Sequence, residues 1–225
     1  MKNKELFGFI VAVIALMGGL MLGTFFTARA NTLPELPKPE VSEGERGKLG
    51  IDKNVNETTI DKYLGRKDSV YYDVRMLEDP AQYEEIGGDR YLSGFVQGFE
   101  VIPYPYLVNV EGLPEAVGQT YTGKTLYTVK DGKYTANYNE SEQILDDLFP
   151  KDMNIFLMCG GGGYSGMLKN MLTSLGWDGD KIYVVGGYWY YEGNYDVKVK
   201  QDDGSYAFWR VSYHDIDFSK LTEKQ

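Results

Sequence analysis

The hydrophobic period changes several times along the chain, and each change predicts an element. Residues 6–26 run without a single charge, long enough to suit a membrane span. Asn154-Ile155-Phe156-Leu157-Met158 and Lys181-Ile182-Tyr183-Val184-Val185 are short apolar runs, the mark of buried strands. Between them Met167, Leu168, Met171, Leu172 and Leu175 fall on one stripe of a 3.6-residue period. Gly176 follows where a helix end takes a left-handed residue. Ile144, Leu145 and Leu148 give the same stripe to residues 141–149. Residues 69–75 read as a β-rich strand with a polar ending, Asp73-Val74-Arg75. Residues 56–64 read as a short amphipathic helix with Asn54 or Asn56 as cap, and a helical turn is read at 81–86. Two Asp-Gly dipeptides, Asp131-Gly132 and Asp203-Gly204, sit between β-rich arms and predict hairpins. The first has arms 124–129 and 134–138; the second has arms 196–200 and 206–213.

Helix, strand, helix, strand, loop, helix, strand is the order of an α/β domain with a parallel sheet and helices on both faces. Around it the chain divides into four parts. Residues 1–30 form a signal peptide or N-terminal membrane anchor. Ala28-Arg29-Ala30 has the small-x-small form of a cleavage site, and the run before it is long enough to stay as an anchor. Either way the lysines at 2 and 4 stay inside, and the remainder is expected on the extracytoplasmic side, membrane-anchored or secreted. Residues 31–50, rich in Pro, Gly and charge, read as a linker that acts as a spacer. The domain proper is expected over 51–195, with an insertion at about 106–140, and a C-terminal β-hairpin extension over 196–225.

Composition narrows the function. The net charge is −10 and no Lys/Arg run is present, which argues against nucleic acid as partner. The chain has one cysteine and one histidine, so no Cys/His cluster implies a metal or an organic cofactor. The single cysteine cannot close an internal disulfide. His214, in the predicted C-terminal hairpin, reads as a surface or packing residue rather than a base. Tyr188-Trp189-Tyr190-Tyr191 reads as packing, or as a platform for carbohydrate.

That cysteine, Cys159, falls between a strand end and a helix start, followed by Gly160, Gly161, Gly162, Gly163, Tyr164, Ser165 and Gly166. Ligands in open α/β sheets bind at this strand edge. A helix N-terminus offers unpaired N–H groups and partial positive charge, glycines let backbone curl around an anion, and a thiol in such a cradle is held as reactive thiolate. The bland counterpart is a small buried core residue beside a flexible turn.

Three stretches in order carry a family resemblance: Asp73-Val74-Arg75, the Cys159 loop with Gly162 and Ser165, and Val184-Val185-Gly186-Gly187. The chain resembles the rhodanese (sulfurtransferase) family over about residues 51–191, the inserted hairpin excluded. Residues 91–103 match a further family segment loosely. The resemblance implies an α/β rhodanese-like parallel sheet, with the inserted and C-terminal β-hairpins as additions. It implies catalysis by Cys159 through a persulfide, with the backbone of residues 160–165 binding substrate and Asp73 and Arg75 in support. The partners would be a small sulfur-containing donor and a thiol acceptor. Tyr164 stands where the family usually carries arginine, which puts thiosulfate in doubt as donor; Arg75 either caps its strand with Asp73 or supplies the missing cation. A phosphatase of the Cys-x5-Arg kind lacks its arginine here, since that position is Ser165. The rival is a rhodanese-like binding module at the cell surface, contacting a protein or glycan partner through its hairpins and aromatic cluster.

Overall fold

The structure, a computed structural model, describes residues 33–42, 50–76, 89–109, 121 and 123–224. The apolar N-terminal run, the turn read at 81–86 and most of 110–122 lie outside the described residues. Among the described residues no helix is long and apolar enough to cross a membrane.

The elements are β1 (Val41–Ser42), β2 (Ile51–Asp52), β3 (Ser69–Asp73), α1 (Asp89–Leu92), β4 (Gly94–Val96), β5 (Glu100–Val101), α2 (Tyr104–Leu107), β6 (Tyr127–Lys130), β7 (Lys133–Ala136), α3 (Ser141–Leu148), β8 (Asn154–Cys159), α4 (Gly163–Ser174), β9 (Ile182–Gly187) and β10 (Asp196–Lys198). The centre is a four-stranded sheet in the order β5-β3-β8-β9, and every pair in it is parallel. A parallel four-stranded sheet flanked by helices is compatible with the expected α/β class.

Strand alternation decides which side chain meets which layer. On β8, Ile155, Leu157 and Cys159 join the cluster that contains Leu145, Leu148, Leu168, Met171 and Leu172 of α3 and α4. Phe156 and Met158 point the other way, to a cluster with Val55, Ile60 and Tyr188. That second face carries an aromatic ladder across three strands: Tyr71 and Phe156 stack at 4.8 Å, and Phe156 and Tyr183 at 4.8 Å. Phe156 is fully buried, and truncating such a side chain to alanine costs about 3–5 kcal/mol. Among the described residues, α3 and α4 cover the Cys159 face, whereas the ladder face is closed by the short 3-10 helix Ile60–Lys62 and the Tyr188–Tyr190 segment rather than by a long helix.

Several expectations hold closely. β6 and β7 pair antiparallel with Lys130 opposite Lys133. Asp131 and Gly132 both take positive φ, 50° and 75°, as a two-residue hairpin turn requires. α3 buries Ile144, Leu145 and Leu148.

Others are corrected. Residues 56–64 form turns with only a 3-10 segment, because local side chains satisfy the backbone first: Asp52 accepts from the N–H groups of Asn54 and Val55, and Asn56 accepts from that of Thr58. The predicted C-terminal hairpin is kept only near its tip, where Gln201 N–H donates to Ser205 O, Lys200 bridges Tyr206 and Ala207 N–H donates to Val199 O. Beyond the tip the arms part: β10 pairs with β4, while the other arm reaches the β5 edge, where Val101 N–H donates to Ser212 O and His214 N–H to Val101 O. Part of the 31–50 segment is held against the domain rather than acting as a free spacer. β1 pairs with β2, Tyr183 hydroxyl donates to Pro37 O, and the Arg66 guanidinium to Pro34 O.

Candidate functional site

Cys159 is the last residue of β8, at the carboxyl edge of the sheet, with its side chain on the α4 face. Gly162 caps α4 at φ 107°, a conformation only glycine takes cheaply. That turn aims the Gly162 N–H at the Cys159 sulfur, 3.1 Å away. α4 begins at Gly163, so Tyr164 and Ser165 lie in its first turn rather than in the loop. First-turn amides have no partner within the helix and bring its positive end toward the sulfur.

Ser165 is fully buried. Its hydroxyl lies 3.0 Å from Gly162 O, 3.5 Å from Gly186 O and 3.7 Å from the Cys159 sulfur. It has one hydrogen to give. The carbonyl of Gly162 is the nearest acceptor, so this hydroxyl first fixes the turn and only on reorienting serves the sulfur.

Tyr164 fills the position expected to shape the donor site. It is buried and stacks on Tyr104 at 5.2 Å. Burial pushes its hydroxyl well above the ordinary tyrosine range, and the nearness of Cys159 adds to this. Tyr164 therefore stays neutral and offers a donor without a charge.

Arg75 does not fill the gap. Residues 72, 74 and 76 belong to the Cys159 face, which leaves 73 and 75 for the other. The Asp73–Arg75 pair is fully buried, with guanidinium nitrogens 2.6–3.0 Å from the Asp73 carboxylate. Arg75 also donates to Gly94 O at 2.9 Å and lies 4.3 Å and 4.6 Å from the ring centres of Phe95 and Tyr188. The pair locks the β3 end to β4 and the Tyr188 segment, the capping role of the two alternatives.

Two neighbours of the cradle were not read from the sequence. Trp189 lies over the loop: a Cβ on Gly160 would fall 2.8 Å from its indole, and its backbone N–H donates to Gly160 O. Glu57, 2% exposed, stands behind it, where a Cβ on Gly186 would fall 1.9 Å from the carboxylate. The next glycine, Gly187, has no room either, since its Cβ would fall 1.9 Å from Gly160 O. Glycine pairs on adjacent strands signal such close approach, but they do not name what approaches. Within the aromatic run, Tyr188 and Tyr191 are packed and only Tyr190 is largely exposed.

His214 sits elsewhere, with its Nε2 2.6 Å from Glu100 and its ring edge-on to Tyr72. No group of three or more His, Cys, Asp or Glu side chains among the described residues is disposed to hold a metal. Two cavities lined by described residues, of about 680 and 240 Å³, border the inserted hairpin and are not lined by Cys159. No family model, curated protein or solved structure compared with the chain matches it.

Proposed function

We propose that the chain is a rhodanese-like sulfurtransferase, working on the far side of a membrane reached through its N-terminal segment. The observation that carries this reading is the Gly162 N–H held on the Cys159 sulfur at 3.1 Å, at a strand end and a helix start. The three motif-bearing strands β3, β8 and β9 being neighbours in one parallel sheet supports it further.

In this reading the Cys159 thiolate attacks the outer sulfur of a donor, R–S–SH. The donor's S–S bond breaks, R–S⁻ leaves and takes up a proton, and Cys159 holds a persulfide. An acceptor thiolate then attacks the outer sulfur and restores the Cys159 thiolate, with no outside oxidant or reductant. The Gly162 N–H and the first-turn amides of α4 stabilise negative charge on the two sulfurs. The test is the intact mass of the protein after donor treatment: one added sulfur atom in wild type and none in Cys159→Ser. No gain in wild type would sink the proposal.

One observation favours the second reading, a binding module without chemistry. Cys159 is 3% exposed, and the Arg75 cation belongs to the opposite face. In that case Cys159 would react with iodoacetamide only in denaturant, whereas the enzyme labels while folded.

A further inference from the structure

The hairpin of β6 and β7 borders a pocket that is not lined by Cys159. α4 leaves the cradle at Gly163 and ends at Ser174, so a rise of about 1.5 Å per residue carries its far end to the opposite edge of the sheet. There a cavity of about 240 Å³ is lined by Tyr127 and Tyr134 from the two hairpin strands, Tyr138 beyond them, Glu142 of α3 and Trp177 beyond α4. Tyr127, Tyr138 and Trp177 are buried residues, while Tyr134 and Glu142 reach the surface.

The lining is rich in aromatic side chains, with Asn139, Glu142 and Lys224 among its polar members. Four aromatic side chains line a space large enough for a small organic group. Trp177 spends its N–H on Phe149 O at 2.6 Å, so its further contacts are made through the ring. That ring already draws a cation, the Lys151 ammonium at 4.1 Å from its centre. The charge beside the aromatics is negative: burial, then the Glu142 and Asp146 carboxylates, pushes the Tyr127 hydroxyl up to about 12. Among the described lining residues the cation is Lys224, an exposed residue whose backbone N–H donates to Asn137 O. Aromatic faces with a carboxylate among them attract organic cations, and methylated ammonium groups lose little by leaving water.

We propose that this cavity is a binding site for a small quaternary ammonium group, with Tyr127, Tyr134, Tyr138 and Trp177 as the cage and Glu142 as the counter-charge.

The test is calorimetric titration of the full-length protein with choline chloride, and with its neutral isostere in which carbon replaces nitrogen. Since the same head group arises free or on a lipid, phosphatidylcholine vesicles form a separate arm. Choline or the vesicles should bind at least tenfold tighter than the isostere. Glu142→Gln and Tyr134→Ala should each weaken binding about 3- to 30-fold. Both replaced side chains are partly exposed, and circular dichroism checks the folds. If Tyr134→Ala unfolds, Glu142→Gln decides alone. Equal binding of choline and isostere, no heat with choline or vesicles, or an unchanged affinity in Glu142→Gln would overturn the proposal. Binding of a hexose in place of choline would do the same.

Discussion

β3 and β8 are neighbours that end side by side, yet they treat their polar ends in opposite ways. At β3, Arg75 and Asp73 are fully buried and pair with each other, and Arg75 also meets Gly94 O and two aromatic rings. At β8, the Cys159 sulfur receives one firm N–H bond and faces a helix start whose amides are not consumed by the helix. The two ends lie on opposite faces, so neither can serve the other. The Arg75 end is held within the fold; under the proposed function the Cys159 end is where the chemistry takes place.

The sharpest break of this comparison is Cys159→Ser. Sulfur loading should vanish completely, while the urea midpoint moves by the equivalent of about 1 kcal/mol or less, since one small side chain replaces another. Loading that survives would place the nucleophile elsewhere. Arg75→Ala should show the reverse. Removing it leaves the Asp73 carboxylate buried and unpaired, which costs about 3–5 kcal/mol. The protein that remains folded in the cold should still load sulfur on Cys159. A stable Arg75→Ala variant that has lost loading would mean that the arginine serves the cradle after all.

Why part of this was legible in the sequence follows from the range of each interaction. The Asp131-Gly132 turn, the α3 stripe and the strand–Cys159–helix junction are settled by neighbours in sequence, and the structure carries them. Residues 56–64 have a helical stripe too, but the carboxylate of Asp52 and the amide of Asn56 bind the backbone first. The second Asp-Gly tip forms, yet its arms find better partners in β4 and at the β5 edge, which no local pattern announces. Alternation sets 73 and 75 together and 72 and 74 together, but which pair faces Cys159 depends on the β3–β8 register and on what packs above. The place of Trp189 over the loop is a contact between strand ends and is equally non-local.

The two faces also share a liability at high pH. Tyr72, Tyr104 and Tyr164 on the Cys159 side, and Tyr188 and Tyr191 on the other, are held above the ordinary tyrosine range, mainly by burial. Tyr127 and Tyr183 are pushed up to about 12. A raised folded value means that the fold favours the neutral phenol. The stability this contributes is therefore fully present below the unfolded value of about 10, and is lost as pH rises through the folded values. Urea midpoints should be level up to about pH 9.5 and fall steeply towards pH 12. A flat profile through pH 12 would contradict the burial of these hydroxyls.

The smallest expected effect tests what Tyr164 does for the cradle. Arginine there would add a fixed charge and several donors on the Cys159 face, where Arg75 cannot reach. A charge-assisted hydrogen bond contributes about 1.5–3 kcal/mol, so Tyr164→Arg should raise kcat/KM for thiosulfate roughly ten- to a hundredfold, through a lower KM. The gain has a structural cost. Tyr164 is 7% exposed and stacked on Tyr104, so a guanidinium there loses water and recovers only part of it over the Tyr104 ring. Stability should fall by about 1–3 kcal/mol. A neutral or singly charged persulfide donor asks less of such a cation, and its kcat/KM should change less than threefold, a factor worth about 0.7 kcal/mol. Steady-state kinetics with both donors at fixed ionic strength separates the outcomes. If thiosulfate turnover does not improve, the first-turn amides of α4 already meet the anion's need, and the missing arginine marks no loss at this site.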